Sequence, residues 1–347
     1  MRSGRHHGVM REMRNTYAAG GWRESRRPEE RLRTLVVARI AQLTPMLCDW
    51  QQRYPVLLAA RIVPVIKAIV VPLPGGTTAQ HLALCKLGLV AFALDDVVDG
   101  ELGDLSDGET YEICARYAEI ARGTMGVGWA REDTAAGMLA RAIAEVREEM
   151  RACPGAARYL GAWEDAFWAL CLANRAELVH KRQAGMDGSL PSLKAYLRAG
   201  WVTSGAPMYF AAVLVVTGAG YAEHPLEDAV VRRAMLHMGL SIRWFNDART
   251  VDREREEGKL NNGVNLLVAA GMEEGEAERK AMERGDWNLR KLEALVEGMG
   301  GELQGFGAGM VALVHLIRGV YLEQGEFHAE ERREGGVLEG VAGMGGG

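Results

Sequence analysis

The chain has 347 residues, 48% of them apolar and 25% charged, with a formal net charge of −5. That is the balance of a soluble globular protein, long enough for one large domain, and too acidic for a nucleic-acid binder, which would carry a basic face. Its five cysteines (Cys48, Cys85, Cys114, Cys153 and Cys171) have no C-x-x-C spacing, so they read as reduced core thiols of a cytoplasmic protein, not a disulfide frame or a zinc site. Residues 1–30 are Arg-rich and lack helical periodicity, which predicts a disordered arm. They contain Glu12, Glu24, Glu29 and Glu30 and no apolar h-region, so a secretory signal is not expected. Apolar positions at helical spacing predict a helix over 31–47 and a short pair over 55–71 interrupted by Pro64. The stretch Pro72-Leu73-Pro74-Gly75-Gly76 is a firm break. A long buried helix follows over 77–99, stopped by Gly100. Further helices are predicted over 109–121, 131–151, 156–181, 191–216, 226–257, 273–299 and 302–325. No segment alternates with a period of two, and no apolar run reaches the roughly 18 residues of a membrane span; 208–216 is the longest approach. The Gly-rich stretch 331–347 predicts a disordered tail, leaving one all-α domain over 31–330.

Two segments stand out. Asp95-Asp96-Val97-Val98-Asp99 ends a helix whose preceding fifteen residues hold a single charge, Lys86. Asp95 and Asp99 lie one turn apart, with Asp96 at their shoulder. Carboxylates ending a buried element repel each other unless neutralised, and a cation is the simplest neutraliser. In the second segment Asn246, Thr250 and Glu254 are spaced i, i+4, i+8, a stripe about 80° wide. An interlaced ion-pair helix would explain the nearby Arg249, Arg253 and Glu257, but not Asn246 and Thr250 on that stripe. Oxygen donors of this kind suit Mg²⁺, which takes few protein groups and leaves room for water and phosphate oxygens. Arg243, Arg253 and Lys259 flank the stripe and can supply counter-charge to a diphosphate. A third feature, Thr203-Ser204-Gly205-Ala206-Pro207, sits inside the apolar helix 191–216. Pro207 has no amide hydrogen for the carbonyl of Thr203, so a kink with bared carbonyls is expected.

Together these motifs make the chain resemble class I terpene synthases, with their D-D-x-x-D motif and N-D-x-x-[ST]-x-x-x-E triad about 150 residues apart, over roughly residues 35–330. The stretch Glu257-Gly258-Lys259-Leu260-Asn261 and the Tyr196–Gly205 segment are similar to ent-kaurene synthases and related diterpene synthases. The resemblance implies a helical bundle around a central apolar cavity and three Mg²⁺ ions. Asp95 and Asp99, with Asp96, would match the positions for two of them; Asn246, Thr250 and Glu254 would match those for the third. It implies diphosphate contacts from Arg243, Arg253 and Lys259, with Arg198 near a diphosphate-sensing position. Phe92, Trp201 and Tyr321 are candidates for the wall facing a carbocation, as are Trp163, Phe167, Trp168, Phe210 and Trp244. The catalytic set is then Asp95, Asp96, Asn246 and Glu254.

The implied activity is cyclisation of a C20 prenyl diphosphate, geranylgeranyl or copalyl-type, with a C15 farnesyl substrate as the alternative. No second D-D pair is present, which argues against an isoprenyl diphosphate synthase and leaves no D-x-D-D motif; a bicyclic substrate would therefore come from a separate class II cyclase. A non-catalytic prenyl-lipid-binding protein would leave the paired oxygen stripes unexplained. Should the chain self-associate, a homodimer is the expected form.

Overall fold

The computed structural model describes residues 28–99, 106–131 and 133–323, and every regular element among them is helical. The expected arm and tail fall outside these residues, except that the first helix, α1 (Pro28–Arg53), already begins at Pro28. Proline needs no amide partner in a first turn, and Glu29 and Glu30 sit at the positive end of the helix dipole with Arg53 at the negative end. A 3₁₀ turn (Ala59–Arg61) leads into α2 (Ile62–Val70), and α3 (Thr78–Asp99) follows the Pro-Gly break. Leu84, Cys85, Leu87, Leu89, Val90, Ala93 and Leu94 of α3 are all buried, so the acidic motif ends a core helix, as the scarcity of charge predicts.

Next come α4 (Asp107–Arg122), α5 (Ala135–Arg151) and the long α6 (Ala156–Asp187). α4 opens with a capping box: the Glu109 amide donates to Ser106 Oγ, and the Ser106 amide donates to the Glu109 carboxylate. The single kinked helix expected over 191–216 is two helices, α7 (Leu193–Thr203) and α8 (Ala206–Thr217). Gly205 between them takes φ +70°, a left-handed conformation that a side chain would strain, and Pro207 starts the new helix where its missing donor costs nothing. After a 3₁₀ turn (Pro225–Glu227) come α9 (Ala229–Glu256), a short α10 (Gly263–Ala269) that periodicity did not predict, α11 (Glu274–Glu297) and α12 (Leu303–Glu323).

One large apolar core joins α1–α6, α8, α9, α11 and α12; a smaller one around Trp244, Val251, Val264 and Leu267 ties α9 to α10 and α11. Two stretches, Leu193–Thr217 and Leu303–Leu322, are apolar and long enough to cross a membrane by composition, but they are 72% and 50% buried and the first is broken at Gly205. They read as core helices. The packing places the end of α3, the middle of α9, the α7–α8 junction and the end of α12 around one space.

Candidate active site

That space is a cavity of about 230 Å³. α2 lines it with Val65, Ala68 and Ile69, and α3 with Gly88, Ala91, Phe92 and Asp95. α6 gives Leu170 and Asn174, the helix break gives residues 203–206, and α8 gives Met208 and Tyr209. Ile242, Arg243 and Asn246 come from α9; Leu313, Ile317 and Tyr321 come from α12. The wall is mainly apolar, and Asp95 and Asn246, 151 positions apart in sequence, face the same space. A larger depression of about 410 Å³ on α11, lined by Lys280, Arg284, Trp287 and neighbouring charges, holds none of the sequence-predicted residues.

The two adjacent aspartates do different things. Asp95 is exposed at the cavity lip. Asp96 is buried, and its carboxylate accepts two hydrogen bonds from the Arg61 guanidinium, at 2.6 and 2.7 Å. The expectation that both aspartates face the ligand therefore finds only Asp95 on the cavity wall. Helical geometry supplies the reason, since neighbours on a helix point about 100° apart. Arg61 also lies over the Phe92 ring, 5.1 Å from its centre, so it fixes both the motif and the aromatic wall. The side chain of Asp99 lies outside the described residues.

On α9 the predicted stripe is assembled. Thr250 Oγ1 lies 2.7 Å from Glu254 Oε1 and 3.0 Å from the Asn246 carbonyl, and Asn246 Nδ2 donates to the Tyr321 hydroxyl at 2.7 Å. Burial pushes the Tyr321 hydroxyl up to about 12, so it stays protonated. Glu254 Oε2 accepts from Asn262 Nδ2 at 2.9 Å. Asn262 is also the N-cap of α10, so the turn 257–262, with Gly258 at φ +73°, folds back to pin the end of the stripe.

Arg243 reaches the cavity through a network. Its Nε donates to the Tyr196 hydroxyl at 2.6 Å and lies 3.2 Å from Asp247 Oδ1, and its Nη1 lies 3.5 Å from Glu177 Oε1. The guanidinium also stacks over the Tyr196 ring at 4.6 Å. Gly200 makes room for it: a Cβ there would meet Arg243 Cγ at 3.1 Å. Burial pushes the Asp247 carboxyl up to about 7, opposed by Arg243, Tyr196 and the Gly263 amide. Burial also raises Glu177.

Of the other predicted residues, Arg253 lies 3.9 Å from Glu257 and Lys259 lies 3.0 Å from Glu257, both near the end of the stripe and off the cavity wall. Arg198 and Trp201, on α7, are off the wall as well. The aromatic lining is Phe92, Tyr209 and Tyr321. Trp163, Phe167 and Phe210 are spent on the core, Trp168 carries Arg122 over its ring, and Trp244 sits in the smaller cluster beneath Arg284. Of the aromatic candidates, then, Phe92 and Tyr321 lie on the cavity wall, and these five are packed elsewhere.

Several residues were not anticipated. On α6 Leu170, Asn174, Glu177 and Lys181 form one helical stripe running from the cavity wall towards the mouth, apolar first and cationic last. Burial lowers the Lys181 ammonium to about 8, while Asp95 and Glu254 act to raise it and Lys259 and Arg243 to lower it. One ammonium thus feels the carboxylates of both oxygen-bearing helices. The signal was legible as the polar residues Asn174, Glu177 and Lys181, spaced 3 and 4 apart on one face of the helix.

The donor set suits a hard cation. Asp95, Asn246, Thr250 and Glu254 offer only oxygen ligands, and Thr250 and Glu254 already hold two of them 2.7 Å apart. A second group, Asp252, Glu274 and Glu278, gathers carboxylates on the outer surface of α9 and α11, but Arg255 pairs there with both Asp252 and Glu274.

Comparison with known proteins agrees with this geometry. The family described as "Terpene synthase family 2, C-terminal metal binding" matches residues 86–288, more than half of the chain. A curated relative, ent-cassa-12,15-diene synthase of Oryza sativa subsp. indica, is 35% identical over 112 residues, 31% of this chain and 14% of that protein. The chain therefore matches about one-seventh of that relative's length. Among solved structures, linalool/nerolidol synthase from Streptomyces clavuligerus superposes with a TM-score of 0.65 at 16% identity, covering 83% of this chain and 95% of that one. Isoprene synthase from grey poplar leaves gives 0.66 at 14% identity, covering 87% and 56%, and germacradien-4-ol synthase from Streptomyces citricolor gives 0.59 at 17%, covering 85% and 94%. At these identities the structural likeness speaks for the fold.

Proposed function

The chain belongs to the class I terpene synthases, and we propose that within this family it ionises a C20 prenyl diphosphate and guides the resulting carbocation to a diterpene, releasing diphosphate. The observation that carries this is the meeting of Asp95, Asn246 and Arg243 at one mainly apolar cavity. Mg²⁺ is the expected cation, held by Asp95 with Asp99 on one side and by Asn246, Thr250 and Glu254 on the other. When bound, it neutralises the leaving diphosphate.

The chain's own groups do the rest. Arg243, oriented by Tyr196, Asp247 and Glu177, faces the cavity and takes up charge as the carbon–oxygen bond breaks. Lys181, Lys259 and Arg253 add positive potential at the mouth. Val65, Ile69, Leu170, Ile242 and Leu313 exclude bulk water, which would otherwise capture the cation. The ring faces of Phe92 and Tyr321 attract positive charge. Asp96 serves by anchoring the acidic motif through Arg61.

The local likeness to the rice diene synthase supports the diterpene reading, and farnesyl diphosphate is the alternative substrate. Incubation with C10, C15, C20 and copalyl-type diphosphates plus Mg²⁺, followed by analysis of the extract, tests the reading. C20 products are expected. C15 products alone would replace the substrate assignment, and no diphosphate release from any substrate would overturn the activity.

A further inference from the structure

Asn174 has no role in the steps above, yet its environment calls for one. It is 2% exposed and lines the cavity, and it makes no hydrogen bond among the described residues; its Oδ1 is buried without a partner. Buried amides are almost always satisfied, and where no protein group does so the usual partner is an ordered water. The prenyl chain of a substrate offers no donor or acceptor, so it cannot satisfy the amide. With neither end bonded, the amide can present oxygen or nitrogen at little cost.

The same cavity wall holds the acceptors that a water needs. Thr203 Oγ1 donates to Glu177 Oε1 at 2.8 Å and Ser204 Oγ donates to the Trp201 carbonyl at 2.7 Å, so each hydroxyl oxygen keeps lone pairs. Thr203 also keeps a carbonyl whose helix partner would be the nitrogen of Pro207, which carries no hydrogen. Asn174 and Glu177 lie about one turn apart on α6, which brings the amide towards the residue that Glu177 already holds.

We propose that Asn174 holds a water molecule in the cavity and that this water ends the reaction, so that the product is a terpene alcohol. The inference rests on the terpene synthase activity proposed above. The water's lone pair forms the carbon–oxygen bond to the cationic carbon, and the oxonium's extra proton passes to an oxygen of the diphosphate already released at the mouth. Asn174 is therefore a specificity-determining residue, acting on the fate of the cation after ionisation.

The test is turnover in H₂¹⁸O by wild type and Asn174→Leu, which keeps the branched outline and removes the amide, with alcohol, hydrocarbon and diphosphate all measured. Wild type is expected to give an alcohol carrying solvent ¹⁸O. Asn174→Leu is expected to lower the alcohol-to-hydrocarbon ratio at least tenfold while diphosphate release falls less than threefold. A high-resolution crystal structure of the wild-type chain, which needs no turnover, is expected to show a water within about 3 Å of the amide. Diphosphate release with hydrocarbons only, an unchanged ratio in the variant, or no water at the amide would overturn the proposal. No diphosphate release from any substrate would overturn the parent activity, and the quenching step with it.

Discussion

Asp95 and Asp96 are adjacent in sequence, but their environments predict opposite consequences when each is replaced by Ala. The Asp96–Arg61 pair is enclosed, with side chains 5% and 7% exposed, and joined by two short hydrogen bonds. Removing the Asp96 carboxylate takes two short hydrogen bonds from a buried guanidinium and costs about 3–5 kcal/mol. At about 2.1 cal/mol/K per residue, a domain of roughly 290 residues loses about 5–8 °C of melting temperature. Asp95 is exposed at the cavity lip, and its truncation should cost within about 0.5 kcal/mol, a shift of about 1 °C. Activity should follow the reverse order: Asp95→Ala reduces diphosphate release at least a hundredfold at temperatures where it is fully folded. Thermal unfolding in EDTA, paired with a diphosphate-release assay, reads both quantities. The double change Arg61→Met with Asp96→Leu should recover part of the lost stability, because the guanidinium and the carboxylate of this pair both leave the interior. Equal melting shifts for the two single variants, or an Asp96→Ala protein that is inactive but as stable as wild type, would refute the division of roles.

Further expectations follow from the same geometry. Glu254→Gln should lower turnover at least a hundredfold and leave the melting temperature within a few degrees, since Gln can still meet Thr250 and Asn262; a matching loss of folding would count against a ligand role. Stripping divalent cations with EDTA should abolish diphosphate release and adding Mg²⁺ should restore it; undiminished activity in chelator would remove the metal from the reaction. Gly88→Ala would bring a methyl to 2.9 Å from Val65 Cγ1 on the cavity wall, so the product profile should shift or the accepted chain shorten, read by chromatography of the extracts. Asp247 is raised on folding to about 7, so its contribution is most favourable below the unfolded value near pH 4 and is lost as pH rises to about 7. Relative to Asp247→Asn, wild type should lose a few kcal/mol between pH 4 and 7 and change little above, at about 1.4 kcal/mol per unit; a flat difference in urea unfolding would contradict this.

The fold was largely legible because its helices are long and apolar at helical spacing. What escaped was local. Pro207 was visible as a flaw, but the positive φ of Gly205 that turns a kink into two helices depends on packing around the junction. α10 has only seven residues, five of them buried, and so shows no amphipathic stripe. In the site, the spacing of Asn246, Thr250 and Glu254 was enough to assemble them on one face, whereas the division between Asp95 and Asp96 needed the position of Arg61, 35 residues away. Aromatic residues carried little information, because burial in the core and lining of a cavity demand the same side chains. Asn262 was silent in the sequence, and Tyr196 entered only as one end of a resembling segment, since both act by holding another residue of the site.

The network around Arg243 has a bearing on how the enzyme meets its ligands. A guanidinium already engaged by a phenol and two carboxylates does not repel its surroundings, and Glu254 is likewise held by Thr250 and Asn262. Both groups are thus held by partners from the chain itself, in contrast to the ligands of small domains that take no fixed place until metal arrives. A ligand arriving at this cavity meets side chains that their own neighbours have already set in place.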